Sequence, residues 1–333
     1  MFRSPRRAIG IALLLILPLI LAACSTTGGK KAAQGGSSVA AGHANTQHYT
    51  VAMITHQAPG DTFWDIIRKG GLAAAAKDNI TLKYSADPDA TKQAALITDA
   101  INSHVDGIAV TDPNPAALCP TIQKAVQAGI PVVMFNAGVG NWQQCGGMEY
   151  FGQDESIAGL AAGKRLAAAN AKHVLCVLQE QGQVQLEARC AGVQKGLGSA
   201  TMTKLYVNGR DQSAVLSSLT AKLTQDKTID AVITLGSPEA LTAVQAIPAA
   251  HSTAKLYTFD TNAAEIAKIK SGAVQWAVDQ QPYLQGYESV DSLWLYLTNA
   301  NVIGGGQTVL TGPAFIDASN VAKVSQYALA GNR

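Results

Sequence analysis

Aromatics and charge are scarce in this chain: of its 333 residues 6% are aromatic and 14% charged, with a formal net charge of +2. No dense Lys/Arg stripe occurs, which argues against nucleic acid as a partner. Gly-x-Gly-x-x-Gly is missing, since "AGVGNW" and "IGGGQT" have the glycines without the spacing or a following helix in the right place. Gly-x-x-x-x-Gly-Lys-Ser/Thr is missing too, which disfavours nucleoside triphosphates, and so is the Gly-x-Ser-x-Gly elbow of acyl transfer. The six histidines (43, 48, 56, 104, 173 and 251) are scattered and no CxxC pair exists. Neither a metal site nor a cofactor is therefore expected. Of the histidines only His56 follows an apolar run into a candidate cleft, and a capping or supporting role suits it as well as ligand contact.

What is present begins with "MFRSPRRAIGIALLLILPLILAAC". Three arginines precede an apolar run from Ile9 to Leu21, of the length of an export signal and short for a membrane span. Its ending, Leu21-Ala22-Ala23-Cys24, resembles the bacterial lipobox, which implies cleavage after residue 23 and lipidation of Cys24. Residues 24–47, rich in Gly, Ser, Ala and Thr, read as a flexible tether. Loss of residues 1–23 removes three arginines and takes the net charge from +2 to −1, so a nearly neutral ligand is expected. Cys119, Cys145, Cys176 and Cys190 remain, an even number in an exported chain. Three pairings are open. The local pair of bridges, Cys119–Cys145 and Cys176–Cys190, is the expectation, because each would lie within one domain.

At 47% hydrophobic residues the chain has material for two domains. From residue 48 apolar strands alternate with helical stretches: "YTVAMIT", "ITLKYSA", "GIAVTD", "IPVVMFN", "HVLCVLQE", "KLYVNG", "AVITLG", "KLYTFD" and "VQWAVDQ". They recur roughly every 25 to 30 residues, which predicts an α/β fold of βαβ units building two parallel sheets. Asp89 is placed to cap the helix that carries Ala94, Ile97 and Ile101. Ligands of open parallel sheets bind beyond the carboxyl ends of the strands. The residues there are His56 to Trp64, Thr111-Asp112, Asn136 to Gly138, Gln179-Glu180, Gly236-Ser237, Asp260 to Asn262 and Asp279 to Gln281. They combine carboxylates, amides and rings.

In order, "GDTFWDIIRKG", "DGIAVTDPNPAAL", "AGIPVVMFNAG", "EARCAGVQKGL", "YTFDTNAA" and "VDQQPYLQGYESV" resemble the type I periplasmic sugar-binding proteins of ABC importers, the ribose- and galactose-binding family. The resemblance implies two Rossmann-like lobes joined by three hinge crossings, near Gln153–Glu155, Gln280–Tyr283 and Thr308–Pro313. It puts residues 48–153 plus 281–310 in the first lobe and 154–280 plus 311–333 in the second. It implies a non-enzymatic monomer, exported and lipid-anchored at the outer face of the cytoplasmic membrane, that delivers a sugar or polyol to a permease. Carried over residue by residue, Phe63 and Trp64 stack on the sugar ring, whose C–H bonds suit a π face. Asp61 accepts from hydroxyls or caps the following helix. Asn136 stands where the family has an acid, and Ala137 replaces the neighbouring arginine, which puts ribose itself in doubt. Arg189 donates to hydroxyls, Asp260 accepts from them, Gln280 supplies an amide, and Asp112 is either a contact or a turn residue before Pro113. The family's amide after "AVITL" is Gly236 here, so that contact is missing or shifts to Ser237.

Related readings stay open. "LCP" around Cys119 and the later Cys145 also resemble binding proteins for autoinducer-2, and other branches take polyols or inositol. A lactose-repressor-type regulator shares the fold but needs a helix-turn-helix and no lipobox. An exported glycosidase needs two carboxylates across one bond, for which Asp112 and Asp260 are the candidates.

Overall fold

The computed structural model describes residues 44–333. The signal segment 1–23, Cys24 and the tether up to residue 43 lie outside the described residues. The first sheet and its helices take up β1 (Tyr49–Thr55), α1 (Phe63–Lys77), β2 (Ile80–Ala86), α2 (Ala90–Asn102), β3 (Gly107–Val110), α3 (Pro115–Gln127), β4 (Val132–Phe135) and β5 (Glu149–Gly152). The second takes up α4 (Glu155–Ala168), β6 (His173–Leu178), α5 (Val184–Leu197), β7 (Thr201–Tyr206), α6 (Gln212–Gln225), β8 (Ala231–Thr234), α7 (Ser237–Ala249), β9 (Lys255–Phe259), α8 (Ala263–Lys270) and β10 (Trp276–Asp279). The chain then returns to the first with α9 (Pro282–Asn299) and β11 (Val309–Leu310), and ends in the second with β12 (Ala314–Asp317) and α10 (Val321–Leu329).

The sheets run β11-β5-β4-β3-β1-β2 and β12-β10-β9-β8-β6-β7. Within each, strands two, one, three, four and five of the lobe stand in that spatial order, a doubly wound pattern with its switch point beside the first strand. The central strands "GIAV", "VVMF", "AVIT" and "WAVD" are buried at every position, because helices cover both faces. The edge strands β2 and β7 alternate or expose instead. One strand departs from the all-parallel expectation: β12 pairs antiparallel with β10, with Val278 opposite Phe315. A short edge strand reached by a direct chain return can run antiparallel without a crossover helix.

The chain passes between the sheets three times, at Gln153–Asp154, Gln280–Gln281 and Thr311–Pro313, where β5, β10 and β11 end. Asp89 caps α2 as its position suggested, accepting from the N–H groups of Thr91 and Lys92 at 2.9 and 3.0 Å. Both local disulfides are formed. Cys119 of α3 joins Cys145, and Cys176 of β6 joins Cys190 of α5, with Cα–Cα distances of 5.0 and 6.1 Å.

Candidate functional site

The carboxyl ends of the two sheets face one cavity of about 230 Å3. Seven of the eight predicted ligand residues line it: Asp61, Phe63, Trp64, Asn136, Arg189, Asp260 and Gln280. Two of them are aimed by the same backbone device. Asn136 follows β4 with φ 61° and Asp260 follows β9 with φ 66°. Asn and Asp tolerate this left-handed conformation better than bulkier residues. Each is pinned by its own N–H, which donates to the neighbouring strand end, Phe151 O at 3.0 Å and Val278 O at 2.7 Å. The kink turns both side chains off the strand line and into the cavity.

The aromatic wall stands at the start of α1. Trp64 packs edge-on against Phe63 and His56, with ring centroids 5.3 and 4.5 Å apart. His56 is buried and shares Nδ1 with Thr111 Oγ1 at 2.8 Å, while Gln185 of the second lobe reaches its Nε2 at 3.3 Å. Burial first, and the Arg189 charge second, push the imidazole down to about 3, so it is neutral. Asp61 stands one residue before the N-cap Thr62 of α1. It lines the cavity, and its carboxylate accepts from the Phe63 N–H at 3.1 Å. Burial pushes Asp61 up to about 6, against hydrogen bonds from Phe63 and the Trp64 side chain.

A continuous polar chain joins the two lobes through the hinge. Asn136 Nδ2 donates to Gln280 Oε1 at 3.2 Å and Gln285 Oε1 at 3.1 Å, and Gln280 Nε2 donates to Asp260 Oδ1 at 2.6 Å. Asp260 Oδ2 lies 3.5 Å from Arg189 Nη1. Arg189 spends its fork on Glu155, with Nε and Nη2 donating at 2.6 and 2.9 Å, and gives Nη1 to Leu235 O at 2.8 Å. Arg189 is therefore a cavity residue whose charge is already matched, and Glu155 is the partner that sequence reasoning missed. Burial raises Asp260 to about 7, with Arg189 and the Gln280 hydrogen bond opposing it.

Asp112 does not belong to this group. It is fully buried away from the cavity, and a Cβ placed on Gly138 would stand 2.9 Å from its Cβ. The turn at residues 136–138 covers it, and burial pushes it up to about 7. The pairing of Asp112 with Asp260 as glycosidase carboxylates falls with this placement. Between the two glutamines, Gln280 lines the cavity, while Gln281 Nε2 turns to Thr311 O at 2.7 Å. Gly236 brings no side chain to the cavity, but the buried hydroxyl of its neighbour Ser237 lines the same wall.

Further lining residues lie where the sequence drew no attention: Gln183 and Gln185 ahead of and within α5, Arg210 after β7, Gln212 in α6, and Glu239 in α7. The strand-end rule would have reached Arg210, because "KLYVN" ends one residue before Gly209-Arg210. Glu239, 3% exposed in the first turn of α7, was detectable only as the single charged residue of that helix.

The fold and this cavity define a two-lobe binding protein. Residues 51–301 match the periplasmic binding protein domain family, and the chain belongs to it. That family is one of binding proteins rather than enzymes. Among solved structures, a carbohydrate transporter from Acidothermus cellulolyticus 11B, in complex with myo-inositol, is 62% identical. That match covers 86% of this chain and 100% of the other, at a TM-score of 0.85. A periplasmic sugar-binding protein from Legionella pneumophila shares the fold at 23% identity, over 80% of this chain and 100% of the other, with a TM-score of 0.73. The xylose/arabinose-binding protein of Sulfolobus acidocaldarius is 25% identical over 70% of this chain. The match spans 62% of that relative's length.

Proposed function

We propose that this chain captures a cyclic polyol of the inositol class between its lobes and delivers it to an ABC import permease. The carrying observation is the cavity's surplus of acceptors. Asn136 spends both amide hydrogens and Gln280 one of its two within the site, and Arg189 spends most of its fork on Glu155. The buried amide oxygens of Gln179 and Gln185, with the carboxylates of Asp61 and Glu239, are left to receive hydrogens from a ligand. Inositols carry a hydroxyl on every ring carbon and no acceptor-only ring oxygen, so they suit this balance better than a pyranose. The 62% identity to a protein in complex with myo-inositol supports the same class. At about 230 Å3 the cavity is below the roughly 300–1,000 Å3 of drug-sized sites, which favours one monosaccharide-sized ring.

In this reading Asp61, Phe63, Trp64, Asn136, Asp260 and Gln280 contact the ligand, with Arg189 behind Asp260. Residues 48–153 with 281–310 and residues 154–280 with 311–333 move as lobes about the three crossings. Closure is favoured by whatever contacts the ligand makes with both. The chain acts outside the cytoplasm as a monomer, tethered through lipidated Cys24. The test is a thermal-shift and calorimetric panel on the mature chain with inositols, pentoses, hexoses and autoinducer-2. A ligand at 100 times its Kd adds about 2.7 kcal/mol to stability. A shift with inositols that Trp64→Ala abolishes supports the proposal. Response to a pentose or to autoinducer-2 with none to inositols overturns it.

A further inference from the structure

The lobes bring carboxyl groups toward one another across the cavity, and among the described residues no ion pair is formed to Asp61, Glu180 or Glu239. Asp61 stands on the first lobe, and Glu239 and Glu180 stand on the second. Three basic side chains line the same space. Arg189 is committed to Glu155, His56 is neutral, and Arg210 is exposed, with its charge bearing on Glu180 at a distance and no ion pair formed. Asp61 and Glu239 therefore meet the cavity with no counter-charge of their own.

Glu239 is held there by construction. Gln212 Nε2 donates to its Oε1 at 3.1 Å. A Cβ on Gly209 would stand 3.0 Å from that oxygen, and one on Gly236 would stand 2.9 Å from the other. The carboxylate is thus wedged between two backbone segments that can approach it only as glycine.

A second and separate feature points the same way. The Ser237 hydroxyl and the Gln185 Oε1 are more than nine-tenths buried, line this cavity, and have no hydrogen-bond partner among the described residues. Gln179 Oε1 beside them is also unpartnered. Amide oxygens only accept, so the wall asks for more donated hydrogens than its own side chains supply.

Building on the polyol reading of this site, we infer that the ligand carries an ammonium group, held between Asp61 and Glu239 as the lobes close. An aminocyclitol or amino sugar is the class that fits. An ammonium brings three donors and no acceptor, and its charge removes the repulsion that closure would otherwise create. A neutral polyol can donate to the same two groups but does not cancel their charge.

That difference gives opposite pH signatures. Burial pushes Asp61 up to about 6, and burial with the charges of Asp61 and Glu180 pushes Glu239 up to about 7. Glu180 and Asp260 lie near 7 as well. At pH 7 Asp61 is mostly charged and Glu239 about half so, and both are largely neutral by pH 5, while the ligand's ammonium stays charged.

The experiment is isothermal titration of the mature chain with two matched pairs, myo-inositol against an inositol bearing one ammonium in place of a hydroxyl, and glucose against glucosamine. The expected result is an amine at least about tenfold tighter than its neutral parent at pH 7, with that ratio falling at least about tenfold by pH 5. Asp61→Asn and Glu239→Gln each shrink the ratio at pH 7, and the wild-type pH series stands by itself if either variant fails to fold. A neutral parent that binds as tightly as its amine at pH 7, or a ratio indifferent to pH, overturns the inference and leaves the polyol reading intact. Failure of both members of both pairs to bind overturns the polyol reading, and the inference with it.

Discussion

Replacing Glu155 with alanine removes the only carboxylate among the described residues that meets Arg189 with two short bonds. Glu155 opens α4 at 2% exposure, and Arg189 faces it at 4%. Without Glu155 the guanidinium keeps Leu235 O at 2.8 Å and Asp260 Oδ2 at 3.5 Å, and Gln153 Nε2 loses its acceptor at 2.8 Å. Breaking a buried ion pair from one side costs about 3–5 kcal/mol. Asp260 is near enough to take up part of the charge, which sets the expected loss at about 3 kcal/mol. At ~2–4 °C per kcal/mol the melting temperature drops by ~6–12 °C. Ligand affinity falls as well, because an Asp260 drawn to Arg189 no longer points into the cavity. The paired replacement Glu155→Leu with Arg189→Met leaves no buried charge, so it recovers most of the melting temperature without recovering the affinity. Calorimetric melting of both singles and the double decides the matter. A wild-type Tm for Glu155→Ala, or a double as unstable as the two singles summed, refutes the role of Glu155 as the holder of Arg189.

Three further outcomes are expected. Gly312 lies in the third crossing, where a Cβ would meet Gln153 Oε1 at 2.9 Å and Asp279 O at 3.0 Å. Gly312→Ala should cost about 1–3 kcal/mol by overpacking, seen as a lower Tm and weaker ligand binding, and an unchanged Tm would show that the crossings have slack. Mild reduction under native conditions should free Cys119 and Cys145 first, because Cys176 and Cys190 are both fully buried while Cys119 is half-buried. Thiol labelling read by mass spectrometry checks the order, and full reduction should cost about 3 kcal/mol for the bridge whose sequence separation is 14. Glu265 is fully buried with both carboxylate oxygens unpartnered, and burial pushes it up to about 8 from 4.5. Its stabilising contribution is complete below pH 4.5 and lost as pH rises through about 8. Glu265→Gln should therefore raise Tm more at pH 8 than at pH 5, and an equal shift at both would show that the acid does not titrate there.

The main strands were legible because parallel strands covered on both faces must be continuous apolar, β-rich runs. "YTVAMIT" corresponds to β1 residue for residue, and "ITLKYSA" matches β2, an edge strand read from its β-rich composition rather than from burial. β11 escaped because two residues carry no period, and β12 because its half-buried "AFID" lacks the unbroken apolar run of its neighbours. The site was legible for a related reason: the loops at strand ends are where side chains are free to leave the sheet. The same rule misplaced Asp112, since it names a position and not a direction. Asp112 donates its N–H to Ala137 O at 3.2 Å, and the chain that follows β4 lies over its side chain. No local signal reports a turn arriving from a different strand. Glu155 was illegible for the converse reason. It meets Arg189 only because α4 and α5 pack side by side, and a separation of 34 residues in sequence does not announce that.

The hinge and the cavity share residues, and that sharing has a mechanical consequence. Gln280 lines the cavity and is also the first residue after β10, where the chain leaves the second sheet. Gln285, in the first turns of α9, donates Nε2 to Gln280 O at 3.0 Å and to Thr311 Oγ1 at 3.1 Å, so one amide spans the second and third crossings. Gln153 of the first crossing donates to Glu155, which holds Arg189, whose other neighbour is Asp260. Each crossing is therefore one or two hydrogen bonds from a group that lines the cavity. A ligand hydrogen that takes Asp260 Oδ1 competes with Gln280 Nε2 for the same acceptor, and the displaced amide must find its partner in the hinge. In such an arrangement ligand contact and lobe angle are set by one network. Substitutions at Gln285 or Thr311, which do not line the cavity, should alter affinity without removing a ligand contact.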